Sequence, residues 1–163
     1  MRQLKLPSSC TKKMSDFLQR QENDRKVGFV IDEVCGDDVE AKEYLTLMAG
    51  LARAVDDIAD DFETLSQNTI LAVIEILFIR IPSNSFYKKN RDILFSQHLS
   101  MWNAWEASNV LDGGDVVDKI YAHVLRDYIN ELYPIVALLT QGHDKMKEAN
   151  GSIRSIFKKK LGE

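Results

Sequence analysis

The sequence predicts an all-α fold, a single-domain bundle of about six helices, and three observations carry that expectation. Apolar residues recur at helical spacing along almost the whole chain, whereas strand-type alternation is nearly absent. Only three prolines and eight glycines punctuate 163 residues, and most of them fall between the periodic segments. With 45% apolar and 28% charged residues the composition is that of a globular protein. A chain of this length buries roughly two thirds of the surface that it exposes when unfolded, enough for one core.

Ser8, Ser9 or Thr11 is placed to cap a first helix through "KKMSDFLQRQEN", with residues 1–10 as a mobile end. "KVGFVIDEVCGDD" is ambiguous, because Val27, Phe29, Val30 and Ile31 suit a short strand or an extended connector. Gly36 and two aspartates then open a second helix, about 38 to 64. It sets Tyr44, Leu47, Met48, Leu51, Val55, Ile58, Phe62 and Leu65 on one stripe at ~100° per residue. A third helix, about 66 to 80, is apolar nearly all round, which predicts burial on most sides and a central place; "IPSNS" with Pro82 ends it. The fourth, about 86 to 111, is expected to bury Leu94, Phe95, Met101, Trp102 and Trp105 and to stop at "DGGD". A fifth runs from Asp115 to Thr140 with a kink at Pro134 and Gly142 just past its end. Ser152 is placed to cap a short final helix, and 158–163 form a second mobile end.

Several functional classes are excluded at this level. The basic N-terminus lacks the apolar run of a secretory or lipoprotein signal, and "TILAVIEILFI" is about half the length of a membrane span. Cys10 and Cys35 form no metal-ligand spacing, so a reducing cytoplasm is the expected location. Residues 32–63 hold eleven acidic and two basic side chains, while both ends of the chain are basic. The tail "RSIFKKKLGE" is too short and too poor in aromatics for nucleic-acid binding and reads as a solvated helix end.

The acidity concentrates in "ARAVDDIADDF", Ala52 to Phe62. Asp56 with Asp60, and Asp57 with Asp61, are i,i+4 pairs that stack like charges at a cost of a few tenths of a kcal/mol each. Arg53 answers them in part. On a helical wheel Arg53, Asp56, Asp57 and Asp60 lie opposite the apolar stripe, with Asp61 at its margin. Such a face is either solvated or lines a cavity, where carboxylates one turn apart would hold Mg2+ with a diphosphate completing the coordination.

This stretch resembles the first aspartate-rich helix of the squalene and phytoene synthase family of all-α isoprenoid synthases, in which an Arg, two adjacent Asp and a third Asp three residues later recur in this order. The likeness spans about a dozen residues. It implies a reduced isoprenoid-synthase-like bundle in which Asp56, Asp57 and Asp60 bind metal and Arg53 contacts or supports the diphosphate. That family also needs a second acidic motif on a facing helix; "DYINE", with Asp127 and Glu131 at i,i+4, is the nearest counterpart, and it follows the first motif sooner than the family pattern has it. The chain is also shorter than the family's members. The expectation is therefore a helical interaction or assembly module without full synthase activity, with a Mg2+-dependent diphosphate-binding enzyme as the alternative.

Other polar residues fall on apolar faces. Glu75 and Glu131 are expected to be buried against an arginine or a tyrosine hydroxyl, and His98, among Leu94, Trp102 and Trp105, to be a satisfied core histidine. The sharper alternative brings them together with the aspartate helix around one cavity. Glu40 and Glu43, followed by Asp57 and Asp60, are loosely similar to the acidic motifs of all-α nucleotide pyrophosphohydrolases, which set the two motifs on separate helices. Finally, the amphipathic second helix and the aromatic-rich fourth offer a face for a homodimer or a protein partner.

Overall fold

The computed structural model describes residues 25–60 and 66–157, and every regular element among them is helical. The predicted first helix with its caps, Cys10, Phe62, Leu65, Asp61, both expected mobile ends and the side chain of Asp60 lie outside the described residues.

The ambiguous segment is a helix, α1, over 25–35. Val30, Ile31, Val34 and Cys35 share one helical face and are buried, while Phe29 points outward. A strand would have sent Val30 and Ile31 to opposite sides, so the core selects the helix. Gly36 ends α1 at φ +56°, donating to the Asp32 carbonyl at 3.1 Å. Asp38 then caps α2 (Val39–Asp60), accepting from the Ala41 N–H at 2.9 Å. The predicted stripe of α2 is inside: Tyr44, Leu47, Met48 and Leu51 are buried, and Val55 and Ile58 pack partly buried against them.

The next helix differs from expectation. α3 (Gln67–Glu75) is capped by Ser66, widens into a π-helical turn over Ile76–Arg80 and closes with Ile81–Ser83. It is peripheral, not central. Val73 and Ile81 are buried, whereas Leu71, Ile74, Leu77, Phe78 and Ile79 stand exposed. An apolar circumference reports that several sides lack charge; it does not supply the layers that would cover them. Glu75 is accordingly in solvent and needs no buried partner, which corrects the expectation of a buried carboxylate.

Asn84, buried at the corner after α3, accepts from the Tyr87 N–H at 2.9 Å and donates to the Glu40 carbonyl at 3.0 Å. These bonds fix the corner and α4 (Ser85–Lys89) to the start of α2. α5 (Arg91–Leu111) buries Leu94, Met101, Ala104 and Ser108. Phe95 and Trp102 are instead half exposed and Trp105 is only partly buried, because α5 is covered along one side alone.

α6 (Val116–Arg126) starts at a capping box between Asp115 and Asp118. The predicted kink is a 3-10 turn, Asp127–Glu131, that leads into α7 (Leu132–Gln141). Pro134 has no N–H for the carbonyl four residues back, that of Asn130, and its ring crowds that turn. Gly142, at φ +95°, reverses the chain at once into α8 (His143–Phe157). Ser152 therefore lies within a helix and caps nothing.

α1, α2, α7 and α8 enclose the densest part of the core, where Val34, Leu45, Val136, Ala149 and Ile153 are almost wholly inaccessible. The Thr140 hydroxyl, on α7, donates to the Val34 carbonyl at 2.8 Å and ties α7 to the end of α1. Burial, and after it the nearby charge of Asp38, pushes the Cys35 thiol up to about 12, so this cysteine packs and does not react.

Candidate functional site

Arg53 and Asp56 line a cleft of about 570 Å3 between α1, α2 and the corner that joins α6 to α7. Gly28, Ala49 and Gly50 keep its floor shallow in side-chain volume, and Val27, Ile31 and Ile129 supply apolar wall. The facing wall carries His123, Arg126, Asp127, Asn130 and Tyr133. The 3-10 turn creates this wall, since it tightens the chain just where Asp127 and Asn130 come round to face α2.

Of the aspartates singled out in the sequence, Asp56 thus meets Asp127 across one cleft. Asp56 accepts a hydrogen bond from the Trp105 indole N–H at 2.9 Å. Asp57, about 100° further round α2, is partly buried and is not among the cleft's lining residues. Asp127 accepts from the Asn130 amide at 2.6 Å and faces Arg154 at 4.0 Å. Glu131 turns away from the cleft to an ion pair with Arg154, the arginine partner expected for it. Among the described residues no three His, Cys, Asp or Glu side chains converge as a metal would require.

The other acidic pair has a structural use. Glu40 accepts from the Ser85 N–H at 3.3 Å, and Glu43 pairs with Arg80 at 3.0 Å, so both hold the corner between α3 and α4. They also share the unbroken α2 with Asp57 and Asp60, and one continuous helix cannot present two facing motifs.

His98 is part of an aromatic layer. A hydrogen bond of 2.7 Å joins its Nε2 to the Tyr44 hydroxyl, and its ring stacks on Tyr87 at 5.6 Å with 7° between planes. Burial holds its pKa below the ordinary value, so the neutral imidazole is the folded form. It lies beyond the cleft's lining residues and joins no shared polar chamber.

A second feature is a surface. On α6 the stripe Val117, Ile120, Tyr121 and Val124, flanked by Val116 and Tyr128, is between two fifths and four fifths exposed. The buried residue of this helix, Ala122, lies on the opposite side, and α6 packs on α5. The apolar face of a strongly amphipathic helix thus points away from its own domain.

Comparison of the chain with protein-family models, with curated proteins and with solved structures returns no match. No described helix is long and apolar enough to cross a membrane. Sequence reasoning missed Tyr133, His123 and Arg126 as cleft residues. The spacing of Pro134 after "DYINE" held the available signal, because it marks where the chain bends and hence which side chains are turned inward.

Proposed function

We propose that this chain is a helical assembly module that self-associates through the outer face of α6. The exposed stripe of that helix is the observation that carries it. Six apolar and aromatic side chains there expose on the order of 500 Å2, near the top of what a monomer leaves open and a large share of the ~800 Å2 that a standard interface takes from each partner. A second copy meets this face with the same stripe, antiparallel about a two-fold axis, so that Tyr121 of each copy can lie along the valines and isoleucine of the other. The absence of acidic or basic residues within the stripe favours a dry, self-complementary contact over one steered by charge. The unreactive, buried Cys35 suits a reducing cytoplasm.

Sedimentation equilibrium tests this directly. A dimer is expected for the wild type and a monomer with unchanged helicity for Ile120→Glu/Val124→Glu, since both side chains point outward. A wild type that stays monomeric at millimolar concentration, or a double variant that still dimerises, rejects it.

Mg2+-dependent diphosphate binding of the isoprenoid-synthase type is the competing function, and one observation favours it: Asp56 and Asp127 face the same cleft with Arg53 and Arg126 beside them. Asp57 and Asp60 would have to join them around the metal. Mg2+ with pyrophosphate should then raise the melting temperature of the wild type and leave Asp56→Asn/Asp60→Asn unmoved. No shift in either protein leaves the assembly function alone.

A further inference from the structure

The cleft wall opposite the aspartate helix has hydrogen-bonding capacity that the protein does not use. Tyr133 is only 5% exposed, lines the cleft and has no hydrogen-bond partner among the described residues. Among the described residues no fully buried side-chain oxygen or nitrogen is left without a partner, so solvent reaches the Tyr133 hydroxyl. That hydroxyl opens on the cleft. Burial first, and then the neighbouring Cys35, pushes it up to about 12, with Arg53 opposing, so it is a neutral O–H donor. The His123 ring, also on the cleft, makes no hydrogen bond or ion pair among the described residues. Arg126 uses one terminal nitrogen on Asp112 at 3.1 Å and on Asn109 at 3.4 Å, which leaves its other N–H groups unspent.

The two carboxylates on the same walls each already hold one of the protein's own donors. Asp56 takes the Trp105 indole proton and Asp127 takes the Asn130 amide proton with Arg154 alongside. Tyr133, His123 and Arg126 thus offer unused donors beside an apolar surface of Val27, Ile31 and Ile129. A volume of about 570 Å3 suits a small organic molecule.

From this we infer that the cleft binds a small organic oxyanion, a carboxylate or phosphate ester with an apolar body. The oxyanion lies against the Tyr133 hydroxyl, His123 and Arg126, and the body rests on the α1 side. No metal takes part. The inference is independent of the self-association through α6, and its lack of a Mg2+ requirement separates it from the diphosphate function.

Calorimetric titration with phenyl phosphate in EDTA tests it, with inorganic phosphate and phenol as separate arms and benzoate to compare the two kinds of oxyanion. Phenyl phosphate should bind at least about tenfold more tightly than either of its halves. Tyr133→Phe, which keeps the buried ring, should weaken it by about tenfold or more, the usual loss for a hydrogen bond to a charged group. His123→Gln, at an exposed position, should weaken it less while the melting temperature of the free protein stays unchanged. Benzoate binding with the same Tyr133 dependence supports a general oxyanion site; phenyl phosphate alone binding supports a phosphate ester. No heat from phenyl phosphate or benzoate up to 10 mM, equal affinity in Tyr133→Phe, or binding that requires Mg2+ overturns the inference.

Discussion

The two halves of the molecule finish their burial to different degrees. Around α1, α2, α7 and α8 each apolar stripe meets another, and residues such as Leu45 and Ile153 are within 1% of complete burial. Around α3, α5 and α6 the stripes are apolar too, yet Phe78 and Val124 remain largely open and Trp102 half open. The same helical periodicity underlies both. What differs is whether a second layer exists within one chain to receive the stripe, and a stripe left open by the fold is where a partner is to be sought.

Side-chain truncation should expose that contrast most strongly. Leu45→Ala removes a fully enclosed side chain and should cost about 2–5 kcal/mol, counting both lost transfer energy and the residual cavity. Phe78→Ala takes away a larger side chain that is 76% exposed and should change stability by less than about 0.5 kcal/mol. Urea denaturation of the two variants at low concentration measures both. A cost above ~2 kcal/mol at Phe78 would mean that α3 is covered in solution, and the comparison between halves would fail.

Next in size is the aromatic layer where the halves meet. Tyr44→Phe keeps the ring contacts and deletes the bond to His98, leaving a half-buried imidazole nitrogen unpaired, for about 1–2 kcal/mol. The same site gives a pH dependence of known sign. Burial lowers the pKa of His98 in the folded state, so the unfolded chain takes up its proton first as pH falls. This contribution to stability is whole above the unfolded value of about 6.5 and declines as pH drops below it. His98→Gln should flatten that limb of the curve; an unchanged slope would show that the loss comes from other groups.

The sequence made the helical class legible because periodicity reports directly on which face of a helix is apolar. It also located the stop at "DGGD", the helix end just before Gly142 and the kink near Pro134, where backbone chemistry is local. It misjudged α1, since four apolar residues within five positions satisfy either period until the core decides between them. It misjudged α3 and Glu75 for the complementary reason: enclosure depends on neighbours remote in sequence. The candidate site divides in the same way. Asp56 and Asp127 share a cleft, as a facing acidic pair requires, whereas Asp57 and Glu131 do not, and Tyr133 could be found only once the corner of the 3-10 turn had a place in space.

A smaller effect belongs to the start of α6. Asp115 accepts from the N–H groups of Val117 and Asp118 at 2.8 and 3.0 Å, and Asp118 returns a bond to the Asp115 N–H. Asp115→Ala should cost about 1 kcal/mol. Because α6 carries the proposed interface, the same change should also weaken self-association, while a capped but charged stripe weakens association alone. If Asp115→Ala alters stability without touching the dimer, α6 is held in place by α5 and not by its cap.

The smallest expected change is the most informative about the acidic face. Asp56→Asn keeps an oxygen to accept the Trp105 indole proton and takes negative charge from the C-terminal part of α2, where the helix dipole disfavours it. Stability should rise by a few tenths of a kcal/mol, up to ~0.5, as read from urea midpoints with the dependence on denaturant unchanged. A gain of that kind means that the folded chain carries a carboxylate at a cost, as binding sites commonly do. A loss above ~1 kcal/mol would instead make the charge of Asp56 part of what joins α2 to α5, and the aspartate face would then be explained by packing alone.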